Sequence, residues 1–154
     1  MEASRLIEVS RQALAQSKAL TDVVAEAWQA QALVAAVGSQ LAACGPPVVR
    51  AEAVGLSEAG SRGCGSLRRP AWEEEEIRAT RLSAVSDPRR VLLDLAGLLG
   101  ESGVALVGVA VAADEEGLYW QCLDAIDAAD ESGDRVAGML RSLALPERGG
   151  ARVL

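Results

Sequence analysis

Apolar positions recur along most of this 154-residue chain with the period of an α-helix. From Glu2 to about Lys18, Leu6, Val9, Ala13, Ser17 and Leu20 share one stripe, with Ile7 and Leu14 beside it and Glu8, Arg11, Gln12 and Lys18 opposite. The stretch "TDVVAEAWQAQALVAAVGSQLAACGPP" is apolar almost all round, which predicts a second, largely buried helix. Thr21 is its expected N-cap, which starts it near Asp22, and Gly45 with Pro46 and Pro47 stops it. A third helix is expected from Pro47, whose missing N–H has no partner in a first turn anyway. Its stripe of Val49, Ala53, Leu56, Gly60 and Cys64 is made of small residues that permit a close neighbour.

"AWEEEEIRATRLSAV" predicts a fourth helix after Pro70, with its glutamates at the positive N-terminal end and Glu74 paired to Arg78 at i,i+4. A fifth begins at Ser86 or Asp87 with Pro88 in its first turn, and Val91, Leu95, Leu98, Ser102, Leu106, Val109 and Ala113 stay in phase. Two readings are open for Gly103 to Ala113: continuation of this helix through Gly100 and Gly103, or a buried strand. Helix is the expectation, because no second strand pattern exists to pair with it. The sixth helix carries Leu118, Cys122, Ala125 or Ile126, Ala129, Gly133, Val136, Leu140 and Leu143 on one unbroken stripe. The fold expected is all-α: one domain over residues 1–145, an antiparallel bundle of five to six helices centred on the second, fifth and sixth. Residues 146–154 read as a flexible tail, given Pro146 and two glycines.

Composition strengthens this picture. Half of the residues are hydrophobic and none is Phe, so the core is built from Ala, Leu and Val, of which Ala and Leu are the strongest helix formers. Tyr119, Trp28, Trp72 and Trp120 are the only aromatic residues. The net charge of −7 repels polyanions, and no concentrated basic surface is visible, so nucleic acid is not an expected partner. A membrane span needs about 20 apolar residues in a row; Asp94 and Glu101 interrupt the most apolar stretch, and no span is expected. Cys44, Cys64 and Cys122 are odd in number and widely spaced, with no CxxC. Free thiols in a reducing cytoplasm are the expectation, and the N-terminus "MEASRLIEVSRQ" lacks the apolar segment of a signal peptide.

Candidate chemistry is sparse. The chain has no His, which removes the usual general base and a common metal ligand. Asp124, Asp127, Glu131 and Asp134 lie at i, i+3, i+7 and i+10, on one helix face. They alternate with the apolar stripe, so a solvated face is expected, not a metal centre. Cys64, near Arg62, Arg68 and Arg69, is the candidate reactive thiol; Cys44 and Cys122 read as small core residues. Trp72, Tyr119 and Trp120 are the candidate partner contacts, one of the adjacent Tyr119 and Trp120 being expected at a margin. No catalytic residue, cofactor or metal site is expected.

Taken together, "VVAEAWQAQALVAAVGSQLAACGPP" and "ADEEGLYWQCLDAIDAADESGDRV" resemble a family of small Ala-rich actinobacterial proteins of unknown function. The resemblance implies an origin in such organisms and assigns no activity to any residue. The secreted helical hairpins of the type VII system are a contrast. Trp28 is followed by Gln29 and Ala30, not x-Gly, and Leu123 stands where their tail signal needs an acid after Tyr119. The expected function is a non-catalytic helical interaction or scaffold protein; a small-molecule binding or sensing bundle is the alternative. Small residues on the third and fifth helices (Ala53, Gly60; Gly100, Gly103, Gly108) and the high apolar content point to a homodimer or another protein partner through an apolar helix face.

Overall fold

The computed structural model describes residues 1–145 of the chain, and the expected tail at 146–154 lies outside them. Five α-helices follow one another: α1 (Ala3–Gln16), α2 (Leu20–Cys44), α3 (Arg50–Ser66), α4 (Pro88–Ala112) and α5 (Glu116–Ala144). No strand occurs among the described residues, only one isolated bridge between Glu2 and Ala84. A 3-10 turn at Pro47–Val49 leads into α3. In α4 the Asp87 carboxylate accepts the Arg90 N–H, and Pro88 opens the first turn. This helix runs unbroken to Ala112, so the strand reading of Gly103 to Ala113 falls. Helix α2 begins at Leu20 with Ala19 at its N-cap, which places Thr21 inside the helix and makes it no cap.

The buried face of α1 is Ala3, Leu6, Ile7, Ser10 and Leu14. Val9 is 39% exposed, so the expected stripe through Val9 and Ala13 is rotated by about one residue, or 100°. Ala3 and Ser10 carry too little apolar weight to reveal the true face. Their small size is what lets α1 lie against its neighbours.

Helix α2 packs on α1, α3 and α4, while α5 packs on α3 and α4. The long helices therefore form a ring in the order α2, α3, α5, α4, with α1 against α2 and α4. The third helix belongs to this core, which the expected centre left out. Glycines set the closest crossing. A Cβ built on Gly38 would meet the backbone N of Ser57 at 2.6 Å, and one on Gly60 would meet the backbone N of Ala35 at 2.6 Å. Any side chain at either position would force α2 and α3 apart.

Residues 67–87 depart most from expectation. No α-helix forms there, only 3-10 turns at Glu74–Glu76 and Arg78–Arg81. Gln29, buried on α2, explains this. Its amide donates to the Glu76 carbonyl at 2.7 Å, and its side-chain oxygen accepts the Arg78 N–H at 2.9 Å. Both backbone groups would otherwise serve a helical ladder. Arg78 turns from Glu74 to Glu26 of α2, bonding it with both terminal nitrogens at 2.7–2.8 Å. Ile77, 7% exposed, plugs the apolar cluster around Trp28.

The side chains of Arg78 and Glu26 are only 15% and 14% exposed, so removing one partner strands a buried charge. Burial pushes the Glu26 carboxyl above its ordinary range, against the pull of Arg78. Arg78→Ala is expected to destabilise the fold by about 3 kcal/mol, and Glu26→Gln in the same background to recover part of the loss. Urea denaturation of the single and double variants measures both.

Candidate functional site

Helix α4 has two apolar faces. Val91, Leu95, Leu98, Ser102, Leu106 and Val109 point inward and are buried. On the opposite side Leu93, Val104, Val107 and Val111 are 48%, 75%, 49% and 82% exposed. They stand at i, i+11, i+14 and i+18, which a helix aligns on one face. Gly100, Gly103 and Gly108 lie along the same helix, and a Cβ on any of them would meet nothing within 4 Å. Each costs about 1 kcal/mol of helix stability relative to Ala, with no crowding inside the chain to explain it. Sequence reading found the inner stripe and missed the outer one. Its signal was present in the spacing of Leu93, Val104, Val107 and Val111.

Tyr119 and Trp120 open α5 just beyond the end of α4. Both are exposed, at 40% and 55%, and their rings meet edge to face with centroids 5.4 Å apart. Each indole or phenol thus shields part of the other, and both remain presented to a partner. Trp72 is only half-buried and leans on the cluster around Trp28, which itself carries the Arg69 guanidinium 5.8 Å above its ring. The structure pairs Tyr119 with Trp120, while Trp72 packs on the apolar cluster that Leu118 also covers.

Cys64 does not have the environment of a reactive thiol. It donates weakly to the Trp28 carbonyl at 3.7 Å, and burial pushes its pKa up to about 12. Nearby arginines serve elsewhere: Arg62 pairs with Glu131 at 2.7 Å and Arg69 with Trp28. Cys44 is exposed at the end of α2 and is no core residue, while Cys122 is buried. Along α5, Asp124, Asp127, Asp130 and Asp134 face solvent. Glu131 is held below the ordinary carboxylate range by its hydrogen bond from Arg62, and Arg135 reinforces this. No group of three or more metal-ligating side chains comes together among the described residues.

Gln31 on α2, Ser102 on α4 and Ser132 on α5 are 0% exposed, and the amide atoms and both hydroxyls have no hydrogen-bond partner among the described residues. Gln31 lies against Gly63 of α3, where a Cβ would meet its amide carbon at 2.5 Å. Gln29, two residues earlier, is equally buried but fully paired.

Residues 1–142 match the family described as a family of unknown function (DUF6099). The chain belongs to that family. No curated protein and no solved structure matches it. Membership covers all five helices nearly to the end of α5 and assigns no residue a role.

Two outcomes follow from this geometry. With a thiol-specific reagent on the folded protein, Cys44 reacts first, and Cys64 and Cys122 wait for denaturant; a second fast thiol would show that Cys64 is not masked. Gln31→Met replaces an unpaired amide by an apolar chain of similar length and is expected to raise stability by about 1 kcal/mol. Thermal unfolding reads the sign.

Proposed function

We propose that this chain is a non-catalytic interaction protein whose working surface is the outer face of α4 with Tyr119 and Trp120. The observation that carries this is the exposure of Val104 and Val111, 75% and 82%, on the face of α4 opposite its buried stripe. Leaving so much apolar surface wet costs solubility, and contiguous patches of this kind mark sites of association. Exposed aromatics are the residues most often found to dominate protein interfaces. The reading takes the chain as one antiparallel bundle acting in the cytoplasm. In its support, α3 partners shift from Ser57 to Gly60 as α2 partners shift back from Gly38 to Ala35. The single lysine and the Ala- and Arg-rich composition fit an actinobacterial origin.

A second reading has one observation in its favour. An open groove of about 550 Å³ lies at the end of the bundle that holds the α4–α5 connection, with Leu20, Val24 and Leu118 as apolar walls and Arg68 and Arg69 at its rim. That lining suits an anionic amphiphile, as in a small-molecule sensing bundle. Glu115 in the same wall weakens the attraction.

A photo-crosslinker separates the two. Trp120→benzoylphenylalanine is expected to capture protein in living cells, while the same probe at exposed Glu58 on α3 does not. Stabilisation of the purified protein by dodecanoate, lost in Arg69→Ala, together with no capture at position 120, would put the groove reading first.

A further inference from the structure

Resting on that reading, we infer that the partner seated on the outer face of α4 is a second copy of this chain, α4 against α4 and antiparallel across a two-fold axis. The sequence of the face is self-complementary in that arrangement. An axis through position 102 sets residues whose numbers sum to 204 opposite each other. Val104 then faces the partner's Gly100 and Val107 the partner's Gly97, while Ala96 meets the partner's Gly108 and Leu93 the partner's Val111. Next to the axis Val104 meets Gly100 twice, and Ala96 meets Gly108 farther out, so side chains enter open gaps there and the two backbones can approach closely, while at Gly97 the gap is already filled by Arg11. A two-fold axis makes each such contact twice.

The same device already operates inside the chain. Where α2 crosses α3, Gly38 and Gly60 admit the neighbouring backbone, and a Cβ would meet it at 2.6 Å. Gly100 and Gly108 have nothing within 4 Å of that position, yet they occupy helix interiors where glycine is a poor choice. A second helix lying on them supplies the reason. Gly97 differs in that a Cβ there would touch the Arg11 guanidinium at 2.8 Å, which puts Arg11 at the edge of the interface.

Charge permits the pairing. Asp94 and Glu101 are the acids of α4, and each is paired within its own chain, Asp94 with Arg90 and Glu101 with Arg11. The aspartates of α5, which would repel their copies, lie on another helix. Area sets the size class of the interface. Leu93 to Val111 spans about 27 Å at 1.5 Å per residue, and half the surface of a helix that long is about 500 Å². Two copies then bury at most about 1,000 Å², the lower edge of specific interfaces, the size class of weak and transient associations.

The test is sedimentation equilibrium of the full chain over the micromolar range, with Val104→Arg and Gly100→Leu. Both positions are open within the chain, so helicity by circular dichroism is expected to stay unchanged. The expected result is self-association of the 16.0 kDa chain to twice its mass, weakened at least about tenfold by either variant. A wild-type chain that stays monomeric at 100 μM overturns the proposal, as does a dimer indifferent to both substitutions. Phosphatidylcholine–phosphatidylglycerol vesicles are run in parallel, because α4 by length and composition could also enter a membrane. A monomer that binds vesicles, and loses them on Val104→Arg, overturns the second copy as occupant. Capture at position 120 of a protein other than this chain, with no dimer in solution, keeps the interaction reading and rejects the second copy.

Discussion

The backbones of α2 and α3 all but touch, and the rest of the bundle is arranged around that contact. A chain without phenylalanine has few bulky side chains with which to bridge distant helices. It closes the gap by bringing backbones together at Gly38 and Gly60 instead. Dispersion falls steeply with separation, so burying small residues stabilises only when the surfaces meet. Once α3 lies this close to α2, its other flank, where Gly55 faces Arg135, is turned toward α5, and the four-helix ring can close. Gln31 is drawn into the same narrow layer, where Gly63 leaves it room but no partner.

The crossing connection between α3 and α4 shows a competition between local and tertiary demands. Locally, Pro70 followed by acids and Arg78 has the order of a helix start. Gln29 and Glu26 offer the same backbone and side chain partners that are pre-positioned on a rigid helix and shielded from water. A charge-assisted bidentate bond in that setting outweighs an exposed i,i+4 pair worth a few tenths of a kcal/mol. The segment therefore straps across α2 in short 3-10 turns, and Ile77 seals the apolar cluster beneath it.

Electrostatics and apolar surface are segregated to different helices. The acids of α5 stay wet, apart from Glu131, which ties α5 to α3 through Arg62 and lies beside Arg135. Helix α4 carries its acids only on the flank toward α1, and its outer face presents no charged residue of its own from Leu93 to Val111, although the Arg11 guanidinium of α1 lies over Gly97. A helix that is apolar on both sides is compatible with a folded chain because the inward half is core. The outward half stays exposed at Leu93, Val104, Val107 and Val111.

The all-helical class, the inner stripes of α2, α3, α4 and α5, the Pro88 start of α4 and the solvated acids of α5 could all be read from the sequence. Periodicity and capping are local properties, written within a few turns. The resemblance to a family of unknown function was legible too, in the extended patterns of α2 and α5. Four things depended on tertiary structure. The true face of α1 was hidden because Ala3 and Ser10 are too small to weigh in a pattern. The strap at 67–87 was hidden because its partners lie some 50 residues upstream on α2. Cys64 looked activated beside arginines that the fold commits to Glu131 and Trp28, leaving desolvation to raise its pKa. The outer face of α4 was written in the spacing but could not be told from core, since an apolar stripe is the same string whether a neighbour covers it or not. Only the placement of α1, α2 and α5 around α4 decides which side is left bare.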